Sequence, residues 1–412
     1  MDNYNYNNFG QKNDNSRETH IAITIIAVLL TALITFSVSW VFFINSSLNS
    51  SLKNNIPLVT NTADRESALN NVVNTLHRYY YKDFDENLLT EGAMVGMIDA
   101  LGDPYTQFIS GEDYKAYLED VTGEYSGIGI VVMLSEEYDG VVIVSPIEGT
   151  PGERAGLRAG DLIVKIGEYD ATVNNLEEAV SYMKGPEGTL VAIEVIKKES
   201  GTRETLTIKR EKIHNQTVRH EMIDDLGYIR ISQFTTDTAT EFETAFSALK
   251  SKQMKGLVID LRSNPGGIID SANAIADYLV PEGTIVYTLD RNGNREDYKS
   301  KASYEDIPLV VLIDEGSASA SEILSGALKD YDRAKFVGTK SFGKGLVQTT
   351  VPLETGDWLK VTIASFYTPK GNEIQGIGIT PDYVVENTVD KSYLNMTLEE
   401  DVQLQKALEL LE

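Results

Sequence analysis

The sequence predicts an α/β core of alternating strands and helices, with a strand-rich module inserted ahead of it, an N-terminal helical region and a single N-terminal transmembrane helix. Three observations carry that expectation. From about residue 201 onward strand and helix signals take turns, as in Tyr228–Ser232, Ala239–Lys250, Gly256–Leu261 and Ile268–Leu279. Around Glu124 the composition shifts to glycine-punctuated, β-branched strands. Ile21 to Ile44 is an apolar run without a charge.

Composition narrows the function before any motif does. The 412 residues suffice for two or three domains, and 42% hydrophobic content fills ordinary cores. A formal charge of −26 with no basic cluster argues against nucleic acid as a partner. There is no cysteine, so neither disulfides nor thiolate metal sites support the fold. His20, His77, His214 and His220 are too scattered to suggest a metal site.

In chain order, residues 1–20 form an Asn-rich polar tail and 21–44 the apolar run, long enough to cross a hydrocarbon core of about 30 Å. A cleaved signal peptide usually has an apolar region of ~7–15 residues ending at small side chains, whereas this one is longer and ends in Trp40-Val-Phe-Phe-Ile44. An uncleaved single-pass anchor is therefore expected. Lys12 and Arg17 precede it and only Lys53 follows closely, which places the tail in the cytoplasm and the bulk of the chain outside the cell membrane. Residues 45–65, rich in Asn and Ser, read as a linker. Residues 66–114 are helical, with Leu69, Val72, Val73, Leu76 and Tyr80 on one face of the first helix and Asn87–Leu101 forming the second.

Residues 115–200 form the inserted module. Tyr125-Ser126-Gly127-Ile128-Gly129-Ile130 enters a strand, and glycines there let successive backbone N–H groups converge on an anion such as a peptide carboxylate. A second strand, Val141–Val144, and a helix over Asn175–Met183 complete the pattern. The α/β core occupies 201–390, with Asp260 and Arg262 flanking a tight Asn264-Pro265-Gly266-Gly267 turn and expected to form a structural ion pair. Residues 391–412 carry a terminal helix with Thr397 and Glu400 as a capping box and Leu404, Ala407, Leu408 and Leu411 on one face.

Asp314 to Gln348 holds the unusual chemistry. A buried-strand signal, Pro308–Ile313, runs into an acidic-glycine turn and then a helix whose first turn starts near Ser319 or Ala320. A serine at a helix N-terminus has unpaired N–H groups beside it and the positive end of the helix dipole beneath it. Lys344, between two glycines, can lose its charge under apolar cover and then accept the serine proton. None of the four histidines lies near this region, so a Ser–Lys dyad is favoured over a Ser–His–Asp triad. Capping alone would explain Ser317, Ser319 and Ser321. Gly338 to Lys344 also approaches a phosphate-binding loop, but Gly345 stands where a Ser or Thr is required and a strand pattern follows.

GSASASEILSGALKDY and VGTKSFGKGLVQ, preceded by LVIDLRSNPGG and followed by GNEIQGIGITPD, resemble the carboxy-terminal processing peptidases, also called tail-specific proteases. The resemblance runs from about Glu66 to the C-terminus and implies a crotonase-like catalytic core. By it, Ser319 is the nucleophile, Lys344 the general base and Gln348 the residue that positions the lysine. The oxyanion donors are the N–H of Ala320 and of one glycine of the Gly266-Gly267 pair. The inserted module resembles a PDZ domain whose groove, at Tyr125 to Ile130, takes exposed C-termini of protein or peptide substrates. The resemblance also implies homodimer contacts through the helical region and terminal helix. The expected reaction is endoproteolysis by acyl transfer, needing neither metal nor cofactor. A rival reading is a membrane-tethered PDZ scaffold whose core has lost catalysis.

Overall fold

The computed structural model describes residues 62–135, 140–171, 176–387 and 396–412. The expected anchor at 21–44 and the 1–20 tail lie outside these residues, and no helix among those described is long and apolar enough to cross a membrane. The described residues fall into two compact units, one ending at Glu91 and one beginning at Gly92. In the first, a helix spans Thr62–Tyr79 and so begins inside the expected 45–65 linker. Asn and Ser content alone does not fix where a helix begins, and element ends are the least sharply encoded part of a sequence. A second helix spans Glu86–Asp99.

The second unit is built on a six-stranded sheet in the order Val218–Ile223, Leu226–Ile231, Leu257–Asp260, Leu309–Ile313, Ala334–Gly338, Tyr383–Val384. The first pair is antiparallel and every later pair parallel. Parallel strands are covered on both faces, which is why Leu309–Ile313 is apolar at every position. Leu309, Val311 and Ile313 face the helices Thr238–Ser251, Ile269–Leu279 and Ala320–Asp330, which supply Phe242, Phe246, Ile275, Leu279, Ile323 and Leu324. Val310 and Leu312 face the terminal helix, Val402–Glu409, and the turn after it, through Leu404, Ala407, Leu408 and Leu411. That apolar stripe is core. Its helix starts later than expected: Asp401 caps it by accepting from Leu404 N–H, and Thr397 with Glu400 closes the preceding turn instead.

Arg262 locks this helix to the sheet. Its guanidinium is fully buried and donates to Asp260 (2.7 Å) and Asp401 (2.8 Å), both buried. The expected Asp260–Arg262 pairing is thus present and structural. Arg262→Ala leaves buried Asp401 without its ionic partner and Asp260 with only the more distant Arg230 (3.9 Å), and we expect a loss of about 3–5 kcal/mol in urea unfolding; a change below about 1 kcal/mol would mean that water replaces the arginine freely.

A second, five-stranded antiparallel sheet pairs Gln107–Ile109, Trp358–Tyr367, Gly283–Asp290 and Arg295–Ser300 in that order, with Leu346–Pro352 also on Trp358–Tyr367. The inserted module has its own sheet, Ile130–Ser135, Gly140–Pro146, Leu162–Ile166, Leu190–Ile196 and Arg203–Lys209, around a separate core that includes Ile143, Ile163 and Ile193. Its boundaries differ from 115–200. The last strand lies beyond Gly201 because Lys197 to Thr202 is a hairpin turn and not an exit, and Leu206 and Ile208 point back into the module. At the other end a helix, Gly111–Thr122, spans the expected boundary at 114. A two-stranded ribbon, Glu124–Gly127 with Glu211–His214, joins module to core.

Candidate active site

Strand Leu309–Ile313 delivers the chain to a turn held by Ser317, whose hydroxyl accepts from Asp314 N–H (3.0 Å) and donates to Leu261 O (2.8 Å). Ser319 follows at φ 56°, ψ −112°, directly ahead of the Ala320–Asp330 helix. A serine at positive φ costs about 1–3 kcal/mol and persists only where its surroundings dictate it. Here Asn264, fully buried, fixes the turn by accepting Ala318 N–H and the Ser321 hydroxyl on its carbonyl oxygen (3.0 and 2.9 Å). Glu322 accepts the Ser319 N–H (2.9 Å). Ser319 and Glu322 thus stand in a capping-box arrangement at the helix start.

The Asn264–Gly267 turn packs onto this serine. A Cβ on Gly266, at φ +100°, would sit 2.7 Å from Ser319 Cβ and 2.9 Å from Ala320 N, so only glycine brings the two turns this close. The two glycines differ in what their N–H groups do. Gly266 N–H donates to Asn264 Oδ1 (2.9 Å). Among the described residues, the N–H groups of Gly267 and Ala320 have no acceptor. Two uncommitted donors beside a serine at a helix N-terminus are what an oxyanion requires.

Lys344 lies in the turn before strand Leu346–Pro352, where a phosphate-binding loop would open a helix. Ser319, Lys344, Gln348, Gly266 and Gly267 line one cavity of about 420 Å³. The lysine amine is half-buried, 4.9 Å from the Tyr105 ring centroid, with no hydrogen bond or ion pair among the described residues. Burial pushes it below the ordinary lysine range, the Lys360 charge pushes the same way, and Asp103 and Glu322 oppose both. Gln348 shares the cavity, but no hydrogen bond joins it to Lys344; its amide donates to Thr362 Oγ1 at 3.4 Å.

In the module, Tyr125, Gly127, Ile128, Gly129 and Ile130 line a groove of about 80 Å³ together with Val180, Met183 and Lys184 from the end of the Leu176–Met183 helix and just after it. Ser126, expected among them, does not line the groove: the residue is half-buried and its hydroxyl oxygen, shielded from solvent, has no hydrogen-bond partner among the described residues. Ile130–Ser135 is an edge strand, and the Ile128 and Gly129 N–H groups have no acceptor among the described residues. An extended peptide could therefore add to the edge with its carboxylate on these donors. Lys184 is paired with Glu119 at 2.7 Å.

Glu119 lies on the Gly111–Thr122 helix, whose Tyr117, Asp120 and Val121 also line the catalytic cavity. This helix went unrecognised in the sequence. Its signals are present: Ser110 accepts from Asp113 N–H as N-cap, Gly123 ends it at φ 74°, and Tyr114, Tyr117, Leu118 and Val121 recur at helical spacing. Distance in sequence also hid the neighbours of His214. Glu124, His214 and Asp237 each bring a ligand-type atom within 4.8 Å of the others. His214 Nδ1 lies 2.6 Å from Asp237, and Lys212 pairs with Glu124 at 2.5 Å, so these groups already serve one another at the ribbon.

Comparison with known proteins finds matches along most of the chain. Residues 225–385 match the model for peptidase family S41, 142–197 a PDZ domain, and 35–113 the "Activating protease CtpB N-terminal domain". The carboxy-terminal-processing protease of Bartonella bacilliformis is 39% identical over 342 residues, 81% of this chain and 78% of that protein. A Staphylococcus aureus protein described as "Probable CtpA-like serine protease" is 35% identical over 392 residues, 92% of this chain and 76% of its own length. Among solved structures, a photosystem II D1 C-terminal processing protease is 30% identical with a TM-score of 0.47, covering 77% of this chain and 86% of its own.

Proposed function

The chain belongs to the carboxy-terminal processing proteases of peptidase family S41 and is a serine-type peptidase with a PDZ domain, and on that premise we propose that it is a membrane-anchored endopeptidase which cleaves tailed protein substrates through a Ser319–Lys344 dyad. The observation that carries this reading is the shared cavity, in which an amine without a hydrogen-bonding or ionic partner among the described residues and a strained serine lie beside two free N–H groups.

In the proposed mechanism Ser319 Oγ attacks the peptide carbonyl as Lys344 takes its proton. The oxyanion that forms is held by the N–H groups of Ala320 and Gly267, since Gly266 has already given its own to Asn264. Collapse of the tetrahedral intermediate breaks the C–N bond, and the Lys344 ammonium returns the proton to the leaving amine. Water, deprotonated in turn by Lys344, then releases the acyl group and restores the serine.

The base must be neutral, so kcat rises with pH as Lys344 loses its proton, along a limb below the ordinary 10.5. Lys360→Met removes a like charge, raises the amine's affinity for its proton and moves this limb to higher pH. Asp103→Asn removes a charge that favours the ammonium and moves it lower. A limb that stays put in both variants would deny Lys344 the role of base.

The PDZ groove is assigned to substrate C-termini because free N–H groups meet an open strand edge there. Amidating the tail of a peptide substrate is expected to raise KM about tenfold, the scale of one charge-assisted hydrogen bond. The Lys184–Glu119 pair offers a route from groove to cavity, so kcat is expected to fall as well. Equal kinetics for free and amidated tails would refute the assignment. The anchor at 21–44 and a homodimer belong to the same proposal. Recovery of the chain in the salt-washed membrane fraction, with the core open to external protease, tests the first; sedimentation of the detergent-solubilised chain tests the second.

A further inference from the structure

Glu322 has no part in the proton transfers above, yet it is a carboxylate with no exposed surface. Such a group is costly to withdraw from water unless donors fill its oxygens. Four donors do. Oε2 accepts the N–H of Ser319 (2.9 Å) and the N–H of Lys344 (2.8 Å), while Oε1 accepts the N–H of Gly343 (2.7 Å) and the hydroxyl of Ser341 (2.6 Å).

An ordinary capping box needs only the first of these bonds, from the residue ahead of the helix. The other three come from the 341–344 turn, a segment beyond the helix and the next strand. One oxygen is shared by the main chains of the two reacting residues. Their backbone nitrogens are therefore separated by no more than the sum of those two bond lengths, and the strained backbone of Ser319 is held from the same point.

We propose that Glu322 is a positioning residue for catalysis: its carboxylate ties the main chain of the nucleophile to that of the general base, and so sets the separation and aim of their side chains. This rests on the dyad reading. Because every bond to Ser319 and Lys344 is to backbone, replacing either side chain leaves the tie in place, and the two ideas can fail separately.

The test is the pH dependence of kcat and KM on a tailed peptide for the purified full chain carrying Glu322→Gln, Glu322→Asp or Ser341→Ala, with Ser319→Ala and Lys344→Ala alongside. The Gln side chain keeps the size but turns one oxygen into a donor facing donors. We expect kcat to fall about 100-fold with KM within about twofold, the effect of a misplacement on the order of 1 Å. The acid limb should also move to lower pH, since a charge that favours the Lys344 ammonium has gone; a purely structural role would not move it. Ser341→Ala, which loses one donor, should lower kcat about threefold to tenfold, and Glu322→Asp should fall between the two.

A Gln variant that folds and keeps kcat within about threefold of the natural enzyme overturns the inference. So does a Gln variant that fails to fold while Ser341→Ala retains full kcat. Cleavage surviving Ser319→Ala or Lys344→Ala would instead bring down the dyad reading, and this inference with it.

Discussion

Ser319→Ala and Lys344→Ala are each expected to lower kcat/KM by at least about 10⁴-fold, with unfolding in urea unchanged. In the proposed mechanism the two losses are alike because the residues act as one unit: without the hydroxyl there is no acyl-enzyme, and without the amine no group takes the proton. Neither side chain supports the fold. The tie from Glu322 to Ser319 is to the backbone N–H and survives loss of the hydroxyl, and the Lys344 amine has no hydrogen-bond or ionic partner among the described residues. The double variant should be no worse than either single one. Two independent penalties that multiplied would contradict a common step. Lys344→Arg should be as inactive as the alanine variant, because a guanidinium cannot be deprotonated by this degree of burial.

Gly267→Ala is the second large effect, with an expected fall in kcat of about 10²–10³-fold. At φ +136° an added Cβ would lie 2.0 Å from the Phe234 carbonyl oxygen, which already accepts Ile268 N–H at 2.7 Å. The clash is with backbone, so relief requires the turn to move and carries the Gly267 N–H away from where the oxyanion forms. KM for a peptide should change far less than kcat, because the donor matters most once the carbonyl has become tetrahedral. A kcat within tenfold of the natural enzyme, in a folded variant, would take the oxyanion role from Gly267.

Much of this site was legible from the chain because its chemistry is local. The strand Pro308–Ile313, the small residues after it and the helix beginning at Ala320 follow from apolar runs and turn residues, and they placed Ser319 at a helix N-terminus. In the helix expected over Ala239–Lys250, Phe242, Ala245, Phe246 and Leu249 recur at helical spacing, and all four are buried. What escaped depended on contacts between distant segments. Which glycine has a free N–H follows from the Asn264 side chain folding back on Gly266, a choice that no spacing encodes. Glu322 was visible as the fourth residue of a Ser-x-x-Glu box, but its bonds to Gly343 and Lys344 exist only once two strand ends meet. The strand Arg203–Lys209 continues the module's sheet past residue 200, which the chain hides because turn residues between two strands look the same as turn residues between two domains.

The most direct trial of the account is to quench the enzyme in acid during turnover of an activated ester of a tailed peptide and to locate the attached acyl group by mass spectrometry. The prediction is one acyl group on the hydroxyl of Ser319, absent when Lys344 is replaced by alanine. Turnover with no trapped acyl group, or an acyl group on any other residue, would contradict it.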